Sequence, residues 1–223
     1  MNTLKFKFTR LKMKEFGLNL IFVEGEIDKI FINAILLRFF GISNNKIVIA
    51  INGKDNLAKQ VELKNAVRKQ NNAKNLLIFD TDFEQNGGGR RKRLQEYNKI
   101  AKDLGVNFLP YLLPFNDETE GEIEDLIKTC FNKKFNFFDA CWNNMLLCFE
   151  NHKTENKLNI PAKEGFLFSK MDLFKNFRLN KNWNYNSLTK YDFSDDGIWN
   201  FEINDNPKLE ELVNFIKENL FDE

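Results

Sequence analysis

Four acidic residues occur as two pairs in the first third of the chain. Asp80 and Asp82 stand one residue apart directly after the apolar run LLIF, and Glu24 and Asp28 lie four residues apart within FVEGEID. Carboxylate oxygens are the ligands that Mg²⁺ and Mn²⁺ prefer in proteins. Such an ion can polarise a phosphoryl oxygen and generate hydroxide from water. If the two pairs meet in space, we expect a divalent-metal site that acts on phosphate esters.

A glycine run and a basic run follow the second acidic pair. Gly87–Gly89 precede Arg90, Arg91, Lys92 and Arg93. Positive charges at the start of a helix oppose its dipole, and broken local preferences often mark functional positions. Beside a metal site, we expect the four basic residues to bind a nucleic-acid phosphate backbone and the glycines to let the loop close on substrate. An ordinary solvated, mobile loop is the other interpretation, and the sequence leaves both open.

The placement of the acids depends on strands and helices that alternate through the first half of the chain. Apolar runs and helical periodicity predict strands at 18–23, 46–51, 75–79 and 106–113, and helices at 26–40, 57–70 and 91–104. This alternation predicts a parallel sheet covered on both faces by right-handed crossovers. Functional groups collect beyond the carboxyl ends of such strands, so both acidic pairs are expected at one edge.

The rest of the chain is predicted to support this core. Residues 1–130 are expected to form the α/β core, with a short strand near its start at 4–8. Residues 131–223 are expected to form a helical and irregular C-terminal extension packed on that core. Helical patterns fall at 121–131, 137–150 and 207–220.

Composition and charge disfavour several classes of function. The net charge is +1, so any attraction to nucleic acid must come from a local basic patch. Three cysteines and the lone His152 have poor spacing for zinc and predict buried thiols, not a disulfide framework. With one histidine, a histidine-activated nucleophile is disfavoured. The absence of a secretory signal or a membrane-spanning run predicts a cytoplasmic protein with no membrane partner.

Each acid also has a purely structural explanation. Asp80 or Asp82 alone would be explained by capping of a turn. Glu24 and Asp28 would be explained by a favourable interaction with the positive end of a helix dipole. All four together at two strand ends favour a metal site, because neighbouring acids repel one another unless a cation neutralises them.

The acidic motifs resemble those of TOPRIM domains. FVEGEID resembles their strand–Glu–Gly motif, and DTD after LLIF resembles their Asp-x-Asp motif. An acid four residues after the first glutamate is a trait of TOPRIM nucleases of the OLD family. FNDETEGEIEDLI is similar to the Gly-x-(Leu/Ile)-Glu-Asp-Leu segment of small stand-alone OLD-like proteins. The resemblance covers about residues 18–127, with a weaker similarity near the C-terminus.

This resemblance implies a TOPRIM-like, Rossmann-like sheet and a Mg²⁺- or Mn²⁺-dependent nuclease that cleaves DNA or RNA, such as an effector of anti-phage defence. Glu24, Asp80 and Asp82 would be the catalytic residues and metal ligands, and Asp28 and Glu124 would serve a second metal position. Lys54 and Glu84 are candidates for accessory roles. The residues after the Asp-x-Asp motif, Phe83–Asn86, depart from the topoisomerase pattern and argue against topoisomerase chemistry.

Other functions stay open at this point. The chain has no G-x-x-x-x-G-K-[ST] motif, so any ATPase is expected to be a separate partner subunit, as for stand-alone relatives of this type. The main alternative is a catalytically inactive TOPRIM-fold module that binds such an ATPase or nucleic acid. Phosphoryl chemistry on small molecules is a third possibility. The sequence distinguishes neither DNA from RNA nor a one-metal from a two-metal mechanism.

Overall fold

Four parallel strands form a single sheet in the order β2-β1-β3-β4. This computed structural model describes residues 17–44, 46–161, 163–174 and 191–221, so the strand predicted at 4–8 lies outside the described residues. The sheet confirms the predicted parallel α/β architecture, although most strands are shorter than expected. Their bounds are β1 (Leu20–Val23), β2 (Val48–Ala50), β3 (Asn75–Asp80) and β4 (Leu109–Leu113).

The strand order reverses direction at β1. From β1 the chain passes through helix α1 (Glu26–Phe40) to β2 on one side, and β3 then pairs with the other side of β1. Helices α2 (Val61–Lys64), α3 (Ala66–Gln70) and α4 (Arg90–Leu104) follow in the remaining connections. Such a reversal makes a crevice beyond the carboxyl ends of β1 and β3, which is where open α/β sheets bind ligands.

Alternate strand residues enter two separate apolar cores. In β3, Leu76 and Ile78 face the core that contains α1, whereas Leu77 and Phe79 face the core that contains Tyr97 of α4. Both faces of the sheet are therefore buried, which explains why its strands are almost continuously apolar in sequence. Helices α1 and α4 therefore lie on opposite faces of the sheet.

The single helix predicted at 57–70 is wrong. The segment contains a 3₁₀ helix (Lys54–Lys59), then α2 and α3. Asn65, between α2 and α3, has extended backbone angles, and its side-chain oxygen accepts from Arg68 N at 3.2 Å. An asparagine that caps a new helix start in this way ends the preceding one.

The C-terminal half supplies helices to the α1 side of the sheet. Helix α8 (Pro207–Leu220) begins and ends as predicted, and the Asn206 side chain caps it by accepting from Leu209 N at 3.1 Å. Its buried leucines belong to the same apolar core as β1 and α1. The described parts of the extension therefore complete the main core. The other helices are α5 (Ile123–Thr129), α6 (Phe137–Asn156) and α7 (Lys163–Phe174).

The cysteines differ from expectation. Cys130 is buried, but Cys141 and Cys148 lie exposed on α6, so the prediction of buried thiols is wrong for these two. Much of α6 faces solvent because Phe138 is its one buried residue.

Within the described ranges, no helix combines the length and apolar character needed to cross a membrane.

Candidate metal centre

The carboxyl ends of β1 and β3 bring three of the predicted acids to one edge. Glu24 follows β1 directly and Asp80 ends β3, and these two strands are paired neighbours. Asp28 lies in the first turn of α1 and is 6% exposed. The Glu24 carbonyl accepts from Gly53 N at 3.0 Å, which draws the turn after β2 against the same edge.

A fourth acid reaches this edge through Asp80. The Oδ1 atom of Asp80 accepts from Ile123 N at 2.8 Å and so fixes the start of α5. The next residue, Glu124, is buried there. We call Glu24, Asp28, Asp80 and Glu124 the acidic edge. Only the family resemblance pointed to Glu124, and the Asp80–Ile123 hydrogen bond explains how the chain places it.

The acidic edge is electrostatically unfavourable when all its members are charged. Burial raises the pKa of Asp80 well above its ordinary value, and the nearby charges of Asp28, Glu24 and Glu124 raise it further. Burial, followed by the charges of Asp82 and Asp28, raises the pKa of Glu24 from 4.5 to about 7. Such crowding favours either bound protons or a bound cation.

Asp28 has a capping role as well as a place in the acidic edge. Its Oδ2 atom accepts from Gly25 N at 2.9 Å at the start of α1, which is the N3 half of a capping box, since Gly25 has no side chain to supply the other half. Burial nevertheless raises the pKa of Asp28 to about 6, against the lowering effect of its backbone hydrogen bonds. The structural explanation for Asp28 therefore holds, and its role as a metal ligand stays a prediction.

Two buried polar atoms at this edge lack a partner among the described residues. They are Oε1 of Glu24 and the hydroxyl of Tyr97, whose residue is 4% exposed. Burial raises the pKa of Tyr97, and the charge of Glu24 raises it further, so the phenol lies within the field of the acidic edge. Unpaired buried polar atoms typically cost about 1–3 kcal/mol each, and they often mark where water or an ion binds.

Asp82 has different surroundings from the acidic edge. Its carboxylate Oδ2 pairs with Arg93 Nη2 and lies 3.4 Å from Lys54 Nζ. Arg93 also pairs with Glu96, with Nη1 and Oε2 2.8 Å apart. Burial works to lower the pKa of Arg93, but the hydrogen bonds to Glu96 and Asp82 outweigh it and raise the pKa overall. Asp82 is thus one member of a chain of alternating charges.

The four residues of the basic run have different surroundings, and their phosphate binding, one of two interpretations of the sequence, stays a prediction. Arg93 is 1% exposed and turned toward Asp82, so it is not available to a phosphate backbone in this structure. Arg90 donates to the Asp117 carbonyl at 3.2 Å, and Lys92 donates to the Gly87 carbonyl at 2.6 Å. Arg91 is exposed on α4. Helical periodicity explains these different surroundings, because four consecutive residues point to different sides of a helix.

The glycine loop is closely packed, which contradicts the expectation of a freely moving loop. Gly88 and Gly89 are buried, and Gly89 N donates to the Thr81 carbonyl at 3.0 Å. A Cβ atom at Gly88 would collide with Cβ of Asp82. Glycine is needed here because two backbone segments approach each other closely. The loop packs against Asp82 in this structure.

Glu84 lies outside the acidic edge, whereas two residues without a predicted interior role, Arg93 and Tyr97, are buried near it. Glu84 is exposed in a 3₁₀ turn (Glu84–Asn86), and its backbone N–H donates to Glu120 Oε2 at 3.1 Å. Arg93 and Tyr97 were not predicted to enter the interior. The sequence did contain a sign that Arg93 faces the interior. Arg93 and Tyr97 are four residues apart on α4, and residues at this spacing lie on the same face of a helix, so a buried tyrosine implies a buried residue one turn earlier.

The donor chemistry of the acidic edge suits a hard divalent cation. Its side chains offer carboxylate oxygens, including the buried, unpartnered Oε1 of Glu24, and such oxygens suit Mg²⁺ or Mn²⁺. Within the described ranges, however, no three His, Cys, Asp or Glu side chains converge into a ready-made metal site. The residues therefore fit such an ion by donor type and charge, without a preformed cage.

Comparison of the chain with protein-family models, curated proteins and solved structures finds no match. Any function must therefore be supported by the chemistry of the residues themselves.

Proposed function

We propose that this protein is a Mg²⁺- or Mn²⁺-dependent nuclease with a TOPRIM-like sheet, which hydrolyses phosphodiester bonds in DNA or RNA. The observation that carries the proposal is the buried Glu24 Oε1 without a partner in the described structure, placed beside Asp80 at the strand-order reversal. The OLD-like resemblance of the same residues supports an effector role in anti-phage defence, together with a separate ATPase subunit.

Glu24 and Asp80 are the proposed principal ligands, with Asp28 and Glu124 beside them. A bound Mg²⁺ or Mn²⁺ would polarise a phosphoryl oxygen and make a bound water more acidic. Without metal, burial and neighbouring charge raise the pKa of Glu24 to about 7, so a cation can displace its proton near neutral pH. A general acid–base role for Glu24 is what the TOPRIM resemblance implies. Buried surroundings strengthen each of these electrostatic effects.

Hydrolysis of plasmid DNA and of single-stranded RNA, each assayed with Mg²⁺, Mn²⁺ or EDTA, tests this function. We expect cleavage of at least one substrate with metal and none with EDTA. Glu24→Gln should lower the rate by about 100-fold or more, as expected when general acid–base catalysis is lost. Glu26→Gln is the matched control, since Glu26 is exposed two residues away in the first turn of α1. Equal cleavage by both variants, or cleavage in EDTA, would contradict the proposal.

A catalytically inactive module that binds an ATPase partner or nucleic acid is the second candidate. The observation that favours it is the ion pairing of Asp82 with Arg93, together with the absence of a ready-made metal cage in the part of the chain that the structure describes. The same hydrolysis assay separates the two functions. An inactive module would bind nucleic acid or an ATPase without metal-dependent cleavage.

Nucleic-acid binding should depend on the exposed part of the basic run. Arg91 and Lys92 are exposed in the first turn of α4, directly after the glycine loop. Replacing both with glutamine should weaken binding and reduce the log–log salt slope by roughly 0.7 to 0.9 for each phosphate that is no longer neutralised. The matched control replaces Lys99 and Lys102, which are exposed near the other end of α4. Filter binding across a salt series measures both slopes, and identical slopes would remove the basic run from the site.

A further inference from the structure

The contacts of Asp82 set it apart from Asp80. Its Oδ2 atom faces two cations, Arg93 and Lys54, whereas the neighbours that act on Asp80 include three carboxylates. The Asp82 side chain is 31% exposed and Lys54 is 37% exposed, but Arg93 is 1% exposed. The charges therefore alternate in the order Lys54, Asp82, Arg93 and Glu96, with the buried Arg93 between two partly exposed acids.

The Arg93 guanidinium is buried and pairs with both Asp82 and Glu96. Its Nε atom has no partner among the described residues. A divalent ion on Asp82 Oδ2 would have to share this carboxylate with two cations or displace Arg93 from one of its two acids. Removing a partner from a buried charge is destabilising.

The backbone of Asp82 is also fixed. Its φ angle is 55°, in the left-handed region, and its N–H donates to the Gly121 carbonyl at 3.1 Å. Gly88 packs directly against its Cβ atom. These contacts hold the carboxylate on the Arg93 side of the edge. Glu24 Oε1, in contrast, is buried and without a partner in the described structure.

A second observation is an unpartnered hydroxyl near Glu24 and Asp80. The Tyr97 hydroxyl is buried, lacks a partner in the described structure and lies within the field of Glu24 and Asp80. A bound ion with its water shell at Glu24 and Asp80 offers partners for both unpaired atoms. No such need exists on the Asp82 Oδ2 atom, which already faces two cations.

We infer that Asp82 is a positioning residue and not a metal ligand: it holds Lys54 and Arg93 beside an ion whose protein oxygens come from Glu24, Asp80 and the adjacent acids. This inference rests on the proposed function. It divides the site into an acidic half for the cation and a basic half for the phosphodiester anion. Lys54 is the more exposed of the two cations that face Asp82, so it is the one that a phosphate can reach.

Two matched substitutions, Asp80→Asn and Asp82→Asn, test the inference by Mn²⁺ binding in isothermal titration calorimetry. Asp80→Asn should weaken Mn²⁺ binding by about tenfold or more, as expected for the loss of a ligand or its direct support. Asp82→Asn should change the dissociation constant by no more than about threefold. Equal losses in the two variants would overturn the inference while leaving the proposed metal-dependent function intact.

Thermal unfolding without metal provides a readout that does not depend on the proposed function. Asp80→Asn removes a repelling charge and should raise the melting temperature. Asp82→Asn removes the partner of Arg93 and should lower it by roughly 4 °C or more. An increase in both variants would show that Asp82 is one more repelling acid and would overturn the inference. If the parent fails to bind Mn²⁺, the proposed function fails, and the melting temperatures still decide the role of Asp82.

A double variant covers the case in which Asp82→Asn does not fold. Replacing Asp82 with asparagine and Arg93 with methionine together removes both charges of the buried pair. This variant should regain stability relative to Asp82→Asn and bind Mn²⁺ as tightly as the parent to within about threefold. Loss of Mn²⁺ binding by the folded double variant would assign Asp82 to the metal.

Discussion

Arg93→Met is expected to lower the free energy of unfolding by about 2–3 kcal/mol, because it leaves Asp82 and Glu96 without their shared counter-charge. Methionine keeps most of the aliphatic volume of the buried side chain, so the loss reports mainly on charge. Both acids are partly exposed, at 31% and 39%. Their remaining hydration places the effect below the full cost of a completely buried unpaired charge.

The matched control is Arg91→Met, two residues earlier on α4. Arg91 is exposed, and its replacement should change stability by no more than about 0.5 kcal/mol. Urea unfolding monitored by circular dichroism measures both variants. A double-mutant cycle between Arg93 and Asp82 should give a coupling energy of roughly 1 kcal/mol or more. If Arg91→Met and Arg93→Met are equally stable, the buried ion pair contributes nothing measurable.

The metal-free protein is expected to lose stability as the pH rises from about 4.5 to about 7. In the folded state, burial and neighbouring acids raise the pKa of Glu24 from 4.5 to about 7, and burial raises that of Asp28 from 3.8 to about 6. The folded protein therefore holds protons that the unfolded chain has already released. The stabilisation from these bound protons is fully present below the pKa values of the unfolded chain. It disappears as the pH rises through the pKa values of the folded protein.

The size of the pH effect follows from the shift of Glu24. A shift of this size corresponds to about 3 kcal/mol at most, and the interaction with Asp28 prevents simple addition of the two groups. Glu24→Gln should flatten the stability curve between pH 5 and pH 8, measured by urea unfolding in EDTA at about one-unit intervals. Mg²⁺ should stabilise the parent increasingly as the pH rises, since the ion replaces the lost protons. Parallel curves for the parent and Glu24→Gln would show that Glu24 does not carry the dependence.

The sequence predicted the acidic edge better than it predicted the surroundings of Asp82. Glu24 and Asp80 were placed correctly because each follows a strongly apolar run, and parallel strands bring their carboxyl ends to one edge. Asp82 comes two residues after the end of β3 in sequence numbering, but its side chain is committed to Arg93. That contact depends on the direction of one helix face and on a glycine that admits close packing, neither of which the motif contains.

The surroundings of the basic run and of the glycine run were also not predictable from the sequence alone. Three consecutive glycines are compatible with a mobile loop or with a tight approach of two backbone segments, and composition does not distinguish the two. The collision that a Cβ at Gly88 would cause with Asp82 decides for close packing. Similarly, the run from Arg90 to Arg93 suggests one patch in sequence, whereas the helix sends Arg93 inward and leaves Arg91 in solvent.

The packing of α8 against the first strand has a consequence for the newly synthesised chain. Asn19, just before β1, donates to the carbonyl of Leu220, 201 residues later, and the two elements share one apolar core. The ribosome must therefore make α8 before this apolar core is complete, and contacts this distant in sequence form slowly. A nascent chain thus carries Glu24 and Asp80, the proposed metal ligands, before its main core is complete.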